Sequence, residues 1–291
     1  LAALVALPVA VQAADPAKHG GRYDAPEPTD FGAYQDFGHS HWRNSLIWGE
    51  NLENVSIIGP GRIDGTNGLT RRGPGPRGAT PGGVGDIPES MREAPAENPP
   101  RVETAGATVG RPRFSMEGLG NKAIALKLCR NVTIRDISML ACGHFAVLAT
   151  GVDNLTIDNV RVDTNRDGFD IDACRNVRVS NCSVNSPNDD AICLKSSYGL
   201  GFARACENIT IANCQVTGYD LGTFLDGTFQ RTQQLAPDRD GVTGRIKFGT
   251  ESNGGFKNIT IANCVFDRSR GIAIETVDGG VIEDIAITHI T

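Results

Sequence analysis

Apolar residues in the second half of the chain recur in short pairs separated by polar residues. Within a pair the apolar positions alternate with a polar one, as in Val132 and Ile134, and the next pair, Ile137 and Met139, begins three residues later. Alternation with a period of two is typical of β-strands that bury one face. The three-residue step is typical of a bend, so the pattern predicts short strands joined at corners.

The same pattern returns at regular intervals along the chain. Each copy opens with an asparagine: Asn131, Asn154 and Asn176 lie 23 and 22 residues apart, and two later copies, lengthened by loops, open at Asn208 and Asn258. Such a period indicates a repeat architecture, and its length suits a coil of three short strands. Equivalent positions in successive coils would stack about 4.8 Å apart. The sequence therefore predicts an all-β chain folded as a right-handed parallel β-helix, a solenoid.

The bulk composition agrees with short strands and tight turns. The chain has 40% hydrophobic residues, only 6% aromatic residues and 35 glycines, which predicts an aliphatic core with many turns. Its formal net charge of −6 disfavours a nucleic-acid binder, because such proteins need a basic surface to displace phosphate counterions. We therefore expect no nucleic-acid partner.

Most cysteines follow the apolar pattern. Six of the eight fall at stacked inward positions, so we expect buried thiols that act as small hydrophobic side chains: Cys129, Cys174, Cys182, Cys206, Cys214 and Cys264. Export would permit disulfides between stacked neighbours, and this alternative stays open. No Cys-x-x-Cys pair indicates a metal site, and we expect neither a metal ion nor another cofactor.

The N-terminus and two insertions stand outside the repeat. Residues 1–14 form an apolar run that ends in small residues, as in the remnant of a signal peptide, so we expect a secreted protein, extracellular or periplasmic. The run is too short to span a bilayer, and no membrane span is expected. We expect residues 15–291 to form one monomeric β-helix domain, truncated at its C-terminus, with loop insertions at about 66–120 and 218–243.

Three acidic residues meet when the third strands of successive coils are aligned. When the inward residues Phe169 and Ile192 are aligned, Asp167 stacks beside Asp190, and Asp189 lies one residue upstream of Asp190. Crowded carboxylates cannot all ionise at ordinary cost, so one should keep its proton, as general acid and base catalysis requires. Acid and base would lie roughly 6.5 to 9.5 Å apart, which leaves room for an attacking water and predicts inversion.

A turn is the alternative explanation for part of this cluster. Asp189 and Asp190 follow Pro187 and Asn188, and such residues favour corners. The presence of Asp167 at the matching position one coil away favours a catalytic role over a turn, because stacked like charges are destabilising and a turn does not need them. We therefore predict Asp167, Asp189 and Asp190 as catalytic residues.

At these motifs the chain resembles the polygalacturonases of glycoside hydrolase family 28, over roughly residues 44–284. The family's Asn-x-Asp motif matches Asn165 to Asp167, its Asp-Asp pair matches Asp189 and Asp190, and residues 44–65 and 249–255 are also similar to relatives. The resemblance implies an inverting hydrolase of α-1,4-galacturonosyl bonds in pectic polysaccharide. By the same resemblance Asp189 is the general acid, and Asp167 with Asp190 activates the water.

Two motifs of that family are absent from their expected places. The Gly-His-Gly motif aligns with residues 243–245, and the Arg-Ile-Lys motif, which binds a substrate carboxylate, aligns with residues 273–275. Arg245 and Lys247 flank the inward Ile246 one coil earlier, so both should point outward beside Asp190. We hypothesise that they replace the missing cations; the alternative is that they only solvate the sheet face.

Four further residues are candidates for substrate binding. Asn165 belongs to the Asn-x-Asp motif, and Glu251 faces outward, where it would bind sugar hydroxyls. His144, placed one coil before Asp167, would contact substrate or Asp167, or be structural. Lys195 would bind substrate or form a cross-strand ion pair with Asp172.

Two other classes of protein remain compatible with the sequence. A β-helix polysaccharide lyase would need calcium and an arginine base, for which Asp170, Asp172 and Arg166 are available. A non-catalytic carbohydrate-binding β-helix would use the acids only as hydrogen-bond acceptors for sugar hydroxyls.

Overall fold

The computed structural model describes residues 23–30, 37–66, 68–69, 120–232 and 241–291, and the backbone of residues 12–13. Those residues form one short 3-10 helix, Phe37–Ser40, and eighteen β-strands. The strands are β1 (Gln12–Ala13), β2 (Ser45–Glu50), β3 (Glu53–Asp64), β4 (Lys122–Lys127), β5 (Arg130–Leu140), β6 (Phe145–Thr150), β7 (Asp153–Asp158), β8 (Arg161–Asp163), β9 (Asp167–Asp172), β10 (Arg175–Ser180), β11 (Ser183–Asn185), β12 (Ile192–Ser196), β13 (Cys206–Ala212), β14 (Gln215–Thr217), β15 (Ile246–Ser252), β16 (Phe256–Asp267), β17 (Ile272–Ile274) and β18 (Ile282–Ile290).

The strands build the faces of a solenoid. Strands β2, β4, β6, β9, β12, β15 and β17 pair in that order, all parallel, and we call them sheet 1; β1 adds to β2 in the antiparallel sense. The other two faces are joined through long bent strands, since β5 pairs with β7 through its first half and with β8 through its second. The predicted parallel β-helix is confirmed.

The inward stacks follow the repeat predicted from the sequence. Val132, Leu155, Val177, Ile209 and Ile259 pair in register from coil to coil, and each is at most 2% exposed. Burying one such side chain contributes about 1.5–3 kcal/mol. The stacked aliphatic side chains form one continuous core that supports sheet 1.

The asparagine that opens each coil forms a ladder on the outer corner. The Nδ2 of each asparagine donates to the Oδ1 of its predecessor at 2.7 to 3.3 Å: Asn54, Asn131, Asn154, Asn176, Asn208 and Asn258. Their φ angles lie between 51° and 58°, a left-handed conformation that asparagine tolerates better than most residues. The repeated Asn thus combines a backbone requirement with a hydrogen bond between coils.

All eight cysteines are buried and none forms a disulfide, which confirms the predicted buried thiols. Burial raises the pKa of the Cys206 thiol to about 12. A thiol of this kind is unreactive in the folded protein.

The two predicted insertions are described to different extents. The expected signal peptide and nearly all of the insertion 66–120 lie outside the described residues. Residues 218–232 and 241–243 do form a loop, and the buried carboxylate of Asp163 anchors it by accepting backbone N–H groups of Gly222, Phe224 and Leu225 at 3.0 Å. The loop returns to sheet 1 where Gly244 donates its N–H to the Asp189 carbonyl at 2.9 Å. In the described part of the chain, no helix has the length and hydropathy to cross a membrane.

Candidate active site

Three carboxylates converge at one corner of sheet 1. Asp167 opens β9 and Asp190 precedes β12, and the pairing of Phe169 with Ile192 puts the two acids side by side. Asp167, Asp189 and Asp190 each bring one oxygen within 4.8 Å of the others. The N–H of Asp190 also donates to Asp167 Oδ1 at 3.1 Å. The predicted clustering of the three acids is therefore present.

The acids lie closer together than the sequence suggested. The expected separation of roughly 6.5 to 9.5 Å is wrong for their nearest oxygens, which all lie within 4.8 Å. The physical reason is that Asp189 and Asp190 are adjacent in one coil and Asp167 lies at the same corner of the neighbouring coil, so the separation stays near the strand spacing of about 4.8 Å. The distance therefore carries no argument for inversion.

The predicted position of His144 in this ladder is wrong by one residue. Val147 pairs with Phe169, so the position beside Asp167 is taken by Phe145. The His144 ring stacks on Phe145 with 4.2 Å between centroids and 8° between planes. His144 is buried, and its Nε2 lies 3.2 Å from Arg166 Nη2.

Arg166 is a site residue whose pairing sequence reasoning missed. It is 4% exposed, and its Nη2 lies 2.6 Å from Asp189 Oδ2. The Ser186 hydroxyl donates to the Arg166 carbonyl at 2.6 Å and fixes this corner to the next coil. The available signal was its place inside the Asn-x-Asp motif, one residue before Asp167.

Asn165 joins the two acidic corners. Its Oδ1 accepts a hydrogen bond from Asn188 Nδ2 at 2.6 Å. This contact aligns the turn before Asp167 with the turn before Asp189. The described structure therefore gives Asn165 a positioning contact, and its predicted role in substrate binding stays a prediction.

Arg245 and Lys247 lie where the hypothesis placed them, on the outer face beside Asp190. Arg245 Nε donates to Asp190 Oδ1. Lys247 Nζ lies 3.1 Å from Glu275 and 3.9 Å from Asp190. Both cations therefore already have carboxylate partners within the protein, and binding of a substrate carboxylate would require exchange of those partners.

The predicted ion pair between Lys195 and Asp172 is wrong. The two residues are neighbours in register, but Lys195 Nζ donates to Glu251 at 2.7 Å. Asp172 is satisfied by the N–H and the hydroxyl of Ser197, at 2.7 and 2.6 Å. The register shift between β12 and β15 after Leu194 accompanies the approach of Glu251 to Lys195.

A segment before β2 covers part of this face. His39, in the 3-10 helix, is fully buried, and its Nε2 lies 3.6 Å from Asp170 while its Nδ1 lies 3.9 Å from Glu251. The Trp42 indole N–H donates to Thr150 at 3.1 Å. Glu251 thus lies beside this segment, and the predicted contact of Glu251 and Lys195 with substrate stays a prediction.

The electrostatics of the three acids diverge. Burial and the neighbouring Asp189 raise the pKa of Asp167 well above its ordinary value. Burial and Asp189 raise the pKa of Asp190 to about 6, against the opposing effect of Lys247 and Arg245. Burial also acts to raise the pKa of Asp189, but Arg166 and a hydrogen bond from Asp167 outweigh it and lower that pKa. Asp189 is therefore the acid that ionises most readily, and the surroundings of Asp167 favour its protonated form.

This distribution differs from the roles implied by the family resemblance, in which Asp189 carries the proton and Asp167 helps to activate water. The sequence shows which acids meet, whereas the proton distribution depends on the ion pair between Arg166 and Asp189. The arrangement nevertheless combines a carboxyl whose surroundings favour protonation, Asp167, with one whose pKa is raised to about 6, Asp190, and general acid and base catalysis needs such a difference.

Fold and site together define a right-handed parallel β-helix with an acid cluster on the outer corner of one sheet. A family model described as a right handed beta helix region matches residues 113–230. The chain is similar to the solved structure of a hyperthermoactive exopolygalacturonase from Thermotoga maritima, with a TM-score of 0.54 and 16% sequence identity, over 97% of this chain and 59% of that chain. At this identity the similarity shows a shared fold. No curated protein sequence matches the chain.

Proposed function

We propose that the chain is a glycoside hydrolase that cleaves pectic polysaccharide, with Asp167, Asp189 and Asp190 as its catalytic centre. The observation that carries the proposal is the convergence of three carboxylates whose oxygens lie within 4.8 Å and whose pKa values diverge. The polygalacturonase-like motifs and the shared fold with an exopolygalacturonase support pectin as the substrate class.

The reaction follows from the charge distribution. Asp190 takes a proton from water while the water oxygen attacks the anomeric carbon. The bond from that carbon to the glycosidic oxygen breaks, and the Asp167–Asp189 pair supplies the proton that the leaving oxygen requires. Asp189, with 21% of its side chain exposed, is the member of the pair that faces the substrate. Inversion of configuration is proposed on the family resemblance alone.

We propose galacturonosyl units as the substrate, with Arg245 and Lys247 as carboxylate ligands. Both cations lie next to Asp190 on the outer face. Arginine binds a planar carboxylate through two parallel hydrogen bonds, so the incoming uronate would compete with Asp190 for Arg245. Such an exchange would release Asp190 to act as the base when substrate is in place.

The lyase alternative requires carboxylates that can bind calcium and an arginine that can abstract a proton. Asp172 accepts two hydrogen bonds from Ser197, and Arg166 forms an ion pair with Asp189. Asp172 and Arg166 are therefore committed to protein contacts, and Asp170 lies 3.6 Å from His39 Nε2. The cluster of Asp167, Asp189 and Asp190 is flanked by Arg166 and Arg245, which compete with a cation for the same oxygens.

The test is product analysis on polygalacturonate, rhamnogalacturonan and a neutral galactan. We expect new reducing ends on a pectic polymer, no gain in ultraviolet absorbance and no loss of activity with chelator. An ultraviolet-absorbing product that disappears with chelator would instead identify a lyase. Activity confined to the neutral galactan would contradict the uronate assignment.

A pair of variants separates hydrolysis from binding alone. Asp189→Asn is expected to reduce turnover by about 10²–10⁴-fold while polymer binding persists. Asp158→Asn is the matched control, because Asp158 is a lightly buried acid that bonds Ser180 and Asn181 on another face. If the chain binds pectin but neither wild type nor control releases reducing ends, it is a carbohydrate-binding β-helix.

Secretion and a monomeric state stay predictions.

A further inference from the structure

Arg166 lies behind the acid cluster and is almost fully buried. Its Nη2 is 2.6 Å from Asp189 Oδ2, and the residue is 4% exposed. A guanidinium always carries its charge, and a buried charge is tolerated only when it is paired. The ion pair with Asp189 is therefore a fixed part of this corner.

A second contact reaches the same guanidinium nitrogen. His144 Nε2 lies 3.2 Å from Arg166 Nη2, and because a guanidinium can only donate, this ring nitrogen accepts. Burial and the positive charge of Arg166 lower the pKa of His144 well below its ordinary value, so the ring is neutral. Phe145 stacks on the ring with 4.2 Å between centroids. Nη2 of Arg166 thus contacts both His144 and Asp189.

The charge of Arg166 affects the two neighbouring carboxyls, Asp189 and Asp167, differently. A positive charge within hydrogen-bond distance favours the ionised form of Asp189. Asp167 lies within 4.8 Å of Asp189 and is 4% exposed, so a second ionised carboxylate there would be both repelled and poorly solvated. Of the two acids, Asp167 is the one that keeps the proton.

We propose that Arg166 is a positioning residue that holds Asp189 ionised in the resting enzyme and so stores the catalytic proton on Asp167. The inference rests on the proposed hydrolase function. As the glycosidic bond breaks, Asp167 passes the stored proton to Asp189, and Asp189 delivers it to the leaving oxygen. After turnover, the proton that Asp190 took from water returns to the pair. No proton is gained or lost over the cycle.

The first test is the pH profile of kcat/KM in Arg166→Gln. Removal of the positive charge should make the acid pair harder to ionise, so the alkaline limb should move up by about 1 to 3 pH units. Arg166→Lys retains the charge and should keep the limb in place with a lower kcat, because a point charge lacks the guanidinium geometry. Arg178→Gln, the same charge change at an exposed position of β10, should match wild type. An unmoved limb in folded Arg166→Gln would overturn the proposal.

The second test needs neither activity nor an Arg166 variant. A ¹³C-carboxyl NMR titration of the wild-type protein, assigned with Asp167→Asn and Asp189→Asn, reports each acid directly. We expect Asp189 to ionise at a lower pH than Asp167. The reverse order would refute the role of Arg166. Absence of hydrolysis on every polymer would refute the proposed function while leaving this titration valid.

Discussion

Asp190 is the residue whose protonation should control activity on the acidic side. Burial and the neighbouring Asp189 raise its pKa to about 6. A general base works only when it is deprotonated, so kcat/KM should rise as the pH increases through about 6, up to the alkaline limb at which the Asp167–Asp189 pair loses its proton. A pH profile of initial rates checks this. An acidic limb near the ordinary carboxyl pKa of about 4 would contradict the assignment of Asp190 as the base.

Substitution of Arg245 tests whether this residue sets the pKa of the base Asp190 or serves only as a substrate ligand. The guanidinium favours ionised Asp190, so Arg245→Gln should raise the Asp190 pKa and move the acidic limb upward. If Arg245 serves only as a uronate ligand, the variant should raise KM and leave the limb unchanged. Lys247→Gln is the comparison, because Lys247 also acts to lower the Asp190 pKa but lies 3.9 Å from the carboxylate, whereas Arg245 donates a hydrogen bond to it. Profiles of kcat and kcat/KM for the two variants separate these effects.

Asp167 and Asp189 should affect stability in opposite directions. The folded pKa of Asp167 lies well above 3.8, so the native state retains a proton and stability falls as the pH rises between these two values. Asp167→Asn mimics the protonated acid and should stabilise the protein at neutral pH by about 0.5–2 kcal/mol, a gain that vanishes at low pH. Asp189→Asn breaks the ion pair with Arg166 and should cost about 1.5–3 kcal/mol. Thermal melts at several pH values check both, and equal shifts for the two variants would contradict this proton distribution.

At the scale of single elements, the asparagine ladder couples backbone conformation to pairing between coils. Asn176 donates to Asn154, accepts from Asn208 and has φ 56°. Asn176→Gly should lose the ladder bonds, about 0.5–1.5 kcal/mol each. Asn176→Ala should lose the same bonds and add about 1–2 kcal/mol for the left-handed conformation. Denaturant unfolding of the two variants separates these contributions, and equal stabilities would show that conformation is unimportant at this corner.

The strands and the meeting of the acids could be predicted because they depend on periodic, local features. Inward residues such as Phe169 and Ile192 fix the register, and that register brings Asp167 beside Asp190. The ion pairs could not be predicted, because long side chains choose among several neighbours. Lys195 bonds Glu251 across a register shift and does not bond its direct neighbour Asp172.

The segment that contains the 3-10 helix Phe37–Ser40 and packs on sheet 1 could not be predicted from the repeat either. His39 contacts Asp170 although it precedes the whole repeat in sequence and belongs to no coil. Periodicity gives no information about a non-repeating segment that packs on the outside of the solenoid. The same holds for Arg166, whose pairing depends on the rotamer of one side chain in a corner.

At the scale of the whole molecule, stability should not depend on redox state. All eight cysteines are buried and free. The thiols of the native protein should therefore not react with thiol reagents, and eight thiols per chain should react after denaturation. The melting temperature should be the same with and without a reductant. Thiol titration before and after unfolding checks this. A melting temperature that falls with reductant would reveal a disulfide.

The central claim is that the acid cluster performs hydrolysis with Asp189 as the proton-delivering group and Asp190 as the base. The most direct measurement compares Asp189→Asn and Asp190→Asn on pectic oligosaccharides and on a uronide with a nitrophenolate leaving group, which needs no proton. Asp189→Asn should be slow on the oligosaccharide and recover to about wild-type turnover on the activated substrate, whereas Asp190→Asn should lose about 10²–10⁴-fold on both. Equal losses for the two variants on both substrates would contradict the account.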